Sequence, residues 1–177
     1  NKSINKIKGR NIFGKVTHKT LPGSTDDLKI LEIEVEEKAT GEIMMGAGIG
    51  SEGTSFQIAI QENNWLGRGI ALASDLNITN TKIRGSINVT NPNYNFSGNS
   101  VTTGVNVSST DRSSTSGYQS SSTGFDIGTK FEQYENIYIA PALFFTHEKI
   151  EAESTASANI KKMDGIFFNT DLAYSII

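Results

Sequence analysis

The feature that most limits how this chain can fold is a two-residue alternation that recurs along most of its length. From Gly41 onward, apolar side chains take every second position in segments of strand length, and turn-forming residues separate the segments. Phe56, Ile58 and Ile60 alternate with Gln57, Ala59 and Gln61. Ile70, Leu72, Leu76 and Ile78 share one parity, while Ala71, Ala73, Asp75 and Asn77 hold the other. Ile83, Ile87 and Val89 oppose Arg84, Ser86 and Asn88; Val101, Val105 and Val107 oppose Thr102, Gly104 and Asn106. Phe125, Ile127 and Phe131 oppose Asp126 and Lys130, and Ile166, Phe168, Leu172, Tyr174 and Ile176 oppose Asn169 and Asp171. With residues 41–50 and 137–149, about eight antiparallel strands are expected, and the fold class is mainly β.

A sheet with one apolar face can be buried in two ways. In a soluble sandwich the apolar face is core; in an outer-membrane barrel it meets lipid and the small, polar face lines the lumen. Alternation alone does not choose. No run approaches the 18 apolar residues of a spanning helix, and the longest, residues 137–145, contains Pro141. A membrane strand needs only about 9–11 residues, so that option stays open.

The turns favour the barrel. If the strands run antiparallel, the connections at residues 62–67, 91–98 and 132–136 lie at one end, and those at 51–54, 80–81, 110–122 and 151–159 at the other. The first set carries Trp65, Tyr94, Phe96 and Tyr134; the second carries only Tyr118. Amphipathic rings gathered at one level suit a boundary between hydrocarbon and water. The second set also holds the two longest expected loops, rich in Ser and Thr, as on the outer side of such barrels. Pro141 conflicts with an interior strand, so a bulge there or a displaced strand is expected. Asp75, Arg84, Asp126, Lys130 and Asp171 have lumen parity and read as solvated wall charges.

The first 40 residues follow another pattern. Ile4, Ile7, Ile12 and Phe13 suggest a short amphipathic helix ending near Gly9 or Arg10. Strand-like runs at residues 15–21 and 28–36 follow, joined by a turn at 22–27, and make a small α+β unit.

Composition removes several functions. Sixteen Lys and Arg against nineteen Asp and Glu leave no basic surplus for nucleic acid. The absence of Cys removes thiolate zinc sites and cysteine nucleophiles. His18 and His147 show no metal-ligand spacing. Gly46, Gly48 and Gly50 are followed by no helix, so they are not a phosphate loop. Neither catalytic residues nor metal nor cofactor are expected, and an enzyme is the weakest candidate. The chain opens at Asn1 and stops at Ile177 inside an apolar alternation, which reads as a mature piece or fragment.

Four motifs in order carry a family resemblance: Glu37-Lys38-Ala39-Thr40-Gly41-Glu42, Gly46-Ala47-Gly48-Ile49-Gly50, Glu62-Asn63-Asn64-Trp65-Leu66-Gly67-Arg68-Gly69, and Val89-Thr90-Asn91-Pro92-Asn93-Tyr94. Together they resemble the junction and first barrel strands of the assembly factors of the Omp85 superfamily, whose barrel is also called the bacterial surface antigen (D15) domain. The resemblance implies a transmembrane antiparallel β-barrel of which this chain holds the first eight of sixteen strands. Residues 1–38 would be the C-terminal part of a periplasmic POTRA domain and residues 39–177 the N-terminal half of the barrel. It implies an outer-membrane location, the lipid bilayer and client barrel proteins as partners, and association with assembly-machinery lipoproteins.

In that family the first strand lies at a seam that opens sideways to receive a client strand. Gly41, Glu42, Ile43, Met44, Met45, Gly46, Ala47, Gly48, Ile49 and Gly50 match it. Four glycines weaken packing and leave backbone groups free to template a strand; alternatively they relieve crowding at a bend or serve a bulge. Trp65, Leu66, Tyr94, Phe96 and Tyr134 are candidate membrane-interface anchors, ordinary ones or ones that help thin the bilayer near the seam. Residues 91–94 read most simply as a turn. A polypeptide-secreting transporter of the same superfamily, a soluble β-sandwich adhesin or binding module, and a passive eight-stranded barrel remain as alternatives.

Overall fold

The computed structural model describes residues 2–25, 27–50 and 53–177. Parts of the turns expected at 22–27 and 51–54 lie outside the described residues. Helix α1 (Lys2–Gly9) ends where Asn11 takes a left-handed conformation (φ 57°), which Asn tolerates better than most residues. Strands β1 (Phe13–Pro22) and β2 (Lys29–Glu37) form an antiparallel hairpin. The register shifts between Phe13 and Lys15, where Gly14 is the extra residue of a bulge. The turn closes with the Gly23 N–H on the Leu28 carbonyl at 2.9 Å, an approach that a side chain at 23 would block.

The remaining strands are β3 (Gly41–Gly50), β4 (Gly53–Trp65), β5 (Ile70–Thr79), β6 (Lys82–Asn91), β7 (Ser100–Arg112), β8 (Tyr118–Tyr134), β9 (Ile137–Ala152) and β10 (Gly165–Ile176). They form one eight-stranded antiparallel meander in chain order, with β3 and β10 as its two edges. Among the described residues the other sheet is the β1–β2 hairpin, and no sheet packs on the face of this one as a sandwich would require.

Register carries the alternation across the wall. One row runs Met44, Ala59, Asp75, Ser86, Asn106, Gly124, Thr146, Asn169; the next on the same face holds Glu42, Gln61, Ala73, Asn88, Gly104, Asp126, Phe144 and Asp171. The row between them, on the opposite face, runs Ile43, Ile60, Ser74, Ile87, Val105, Phe125, Phe145 and Thr170. The apolar face is largely bare: among the described residues only Ile4, Ile150 and Ala156 count as buried hydrophobics. A chain of this length that buries so little apolar surface needs another apolar medium against that face. The polar face is knit instead. Ser86 donates to Asp75, Asn88 Nδ2 donates to Ser86 (3.3 Å), and the Thr90 and Thr102 hydroxyls meet at 3.0 Å.

Two expectations need correction. Residues 110–122 are not a long loop: β7 and β8 pair up to Arg112 opposite Tyr118, leaving only a short turn with helix α2 (Ser113–Ser116). This Ser- and Thr-rich hairpin rises above the apolar band, and the long connection at that end is 153–164, which contains helix α3 (Ala158–Lys161). Nor does Pro141 mark a bulge or a strand end. Strand β9 runs through it opposite Tyr174, and the β8–β9 pairing omits Thr129 and Lys130 without changing register. Tyr138 exchanges both backbone bonds with Ile177 at 2.9 Å, so by alternation position 141 would have donated toward β8. The missing proline N–H therefore costs one bond on that side only.

Candidate functional site

The candidate first strand, β3, is an edge. It pairs with β4 at all ten positions, Gly41 opposite Glu62 through Gly50 opposite Gly53, with no register shift. No bulge therefore accounts for its glycines. A Cβ at Gly46 or Gly50 would meet nothing within 4 Å, so crowding does not account for those two either. Gly46, Gly48 and Gly50 share the polar face, leaving that face of the strand's upper half without side chains. Ile43, Met45, Ala47 and Ile49 share the outer face, where Ile49 is 91% exposed. The arrangement offers a row of backbone donors and acceptors on its unpaired side, which is the chemistry of strand addition.

The aromatic residues assemble at the opposite end of the strands from Gly50, on the rim that faces the N-terminal unit. Two of them arrive by a device that simple parity does not show. The β4–β5 register gains one residue between Glu62 and Trp65, and the β8–β9 register shifts between Glu132 and Tyr134. Without those bulges Trp65 and Tyr134 would share the polar face with Gln61 and Glu132. With them, Trp65 stands opposite Ile70 and Tyr134 opposite Ile137, both on the apolar face. Tyr94 and Phe96 sit in the turn between β6 and β7, inside a short 3₁₀ segment (Tyr94–Phe96). Leu66 and Phe96 adopt positive φ (both 56°), a conformation that is costly for large side chains, and Phe96 is 93% exposed.

The rim also meets the N-terminal unit. Arg10 Nη1 lies 3.1 Å from where a Cβ of buried Gly69 would stand, and within the N-terminal unit Lys38 Nζ donates to Asn11 Oδ1 at 2.7 Å. A cleft of about 950 Å³ opens between Ile7, Ile12, Phe13 and Val35 on one side and Pro92 and Phe96 on the other. Asp75, Arg84, Asp126, Lys130 and Asp171 all lie on the polar face as expected, and Lys130 Nζ sits 4.9 Å from the Tyr138 ring centre.

A single antiparallel wall, apolar outside, polar inside and rimmed with aromatics at one end, is the architecture of an outer-membrane barrel wall, here not closed on itself. Residues 64–177 match the Omp85 superfamily domain, and the chain belongs to that superfamily. Its fold is that of the crystal structure of BamA from Haemophilus ducreyi lacking POTRA domains 1-3, at a TM-score of 0.72 and 20% identity, covering 98% of this chain and 36% of that one. CdiB from Acinetobacter baumannii aligns at a TM-score of 0.49 and 8% identity, covering 96% of this chain and 34% of that one. The chain thus spans about a third of the length of these solved structures. Membership of the superfamily implies an outer-membrane setting.

Proposed function

We propose that this chain is the seam-side part of an outer-membrane assembly factor that folds and inserts other barrel proteins by templating their strands on β3. The observation that carries the reading is an unpaired edge strand whose upper half bears no side chain on its polar face, set in a wall whose opposite face is apolar and bare. On this reading residues 1–38 are the end of a POTRA domain in the periplasm. Client barrels and assembly lipoproteins are the partners, and no catalytic residue is required.

The lipid-facing band supports the reading. Its apolar residues span 43–49 on β3 and 56–60 on β4, between Thr54 and Glu62, but 166–176 on β10. A wall that is shorter beside the candidate seam than at β10 favours a locally thinner bilayer there, with Trp65 at its lower edge, and a thinner bilayer lowers the barrier to inserting a strand.

Depletion of the full-length protein in its native bacterium tests the proposal. The folded, heat-modifiable fraction of several unrelated outer-membrane barrels should fall together. A defect confined to export of one polypeptide, with barrel assembly intact, would overturn it in favour of a secretion transporter.

A further inference from the structure

The two ends of β3 are held differently. At the root, Asn63 donates twice to the Thr40 carbonyl, from its backbone N–H at 3.1 Å and from Nδ2 at 3.2 Å. Glu62 accepts the Asn64 backbone N–H on Oε1 at 2.7 Å. Its Oε2 lies 2.7 Å from where a Cβ of Gly41 would stand, so the bare Cα of Gly41 is what admits the carboxylate. The clamp continues to the N-terminal unit, because Asn64 Oδ1 accepts the Gly69 N–H at 2.7 Å and Arg10 covers Gly69. At the other end the support is thinner: among the described residues one exposed side chain, Ser55, donates from Oγ to the Gly48 carbonyl at 3.4 Å, and a Cβ at Gly46 or Gly50 would meet open space.

We propose that Glu62 is a positioning residue that pins the root of the first strand, so that β3 parts from β4 at the end carrying Gly46, Gly48 and Gly50. This deepens the strand-templating reading and rests on it: the client strand would be received by an edge that swings from a fixed root. The backbone ladder is continuous along β3, so the difference lies in side chains alone. At the root the bonded Thr40–Asn63 pair is reinforced by the Asn63 side chain and braced by Glu62, whereas the tip pairs lie next to glycines and carry one exposed side-chain bond, from Ser55.

Residue-resolved amide exchange on the full-length protein in lipid nanodiscs tests the proposal. Counting in twos from the bonded Thr40–Asn63 pair, the amides aimed at β4 are those of Glu42, Met44, Gly46, Gly48 and Gly50. The last three should exchange at least about tenfold faster than the first two, after correction for intrinsic rates. Glu62→Ala should accelerate Glu42 and Met44 and flatten the gradient, as should Gly41→Ala, which displaces the carboxylate without removing it. Glu62→Gln, which keeps an acceptor oxygen for the Asn64 N–H, should restore much of the root protection. The wild-type gradient needs no variant, so a variant that fails to fold does not remove the test. Uniform exchange along β3, or a root faster than the tip, would overturn the proposal and leave the assembly reading standing. A clear gradient in a protein whose depletion spares other barrels would overturn the assembly reading and, with it, the proposed use of the swing.

Discussion

Gly46 and Gly104 lie on the same face of one sheet, yet a side chain would do opposite things at the two positions. At Gly104 a Cβ would collide with the side-chain oxygens of both Asn88 and Asp126, which close over the glycine from the neighbouring strands. Gly104→Val should therefore lower stability of the folded full-length barrel by about 1–3 kcal/mol, read as a lower urea midpoint in micelles. At Gly46 a Cβ meets open space, and a branched side chain suits a strand better than glycine. Gly46→Val should leave stability unchanged or raise it by up to about 1 kcal/mol, and should slow barrel assembly if a loosely packed edge is what the strand supplies. A destabilised Gly46→Val barrel would contradict the steric account. The sequence marks both residues as glycines in strands; which one is crowded depends on what neighbouring strands deliver to it, and that is a matter of register.

Among elements, the strands of the apolar band were legible from alternation because lipid-facing and lumen-facing positions differ sharply in polarity. The β7–β8 hairpin was not, because above the band both faces are wet and Ser or Thr serves either, so a paired strand and a loop look alike. The bulges before Trp65 and Tyr134 were hidden for a related reason: one inserted residue reverses parity without leaving a compositional mark. Trp65 makes its placement measurable, since it is the single tryptophan of the chain. In bilayers containing brominated lipids its fluorescence should be quenched most by bromine near the headgroups and less by bromine near the bilayer centre. An unquenched Trp65 would place it in the lumen. The absence of Cys gives a matching test at the opposite end: Ser114→Cys should react with a membrane-impermeant maleimide on intact cells, and protection there would invert the assigned orientation.

For the whole molecule, the open wall explains how a chain with 36% hydrophobic residues manages with almost no interior. Its apolar residues are spread over one face of a sheet and await lipid, while the edges at β3 and β10 await strands. The segment on its own in water should therefore aggregate, and a sharp monomeric unfolding transition without detergent would contradict that. The alternation and the four motifs made the wall legible; that its two edges stay unpaired here depends on pairing at a distance in sequence, which no local pattern encodes. Every further step, from interface anchors to a templating edge, requires that the face bearing Ile43, Ile60, Ile87, Val105, Phe125 and Phe145 be covered by hydrocarbon. Phase partition of the intact protein from bacterial membranes into a nonionic detergent measures this directly. Recovery in the detergent phase, resistant to high salt and alkaline washing, is the expected result; recovery in the aqueous phase would contradict the account at its base.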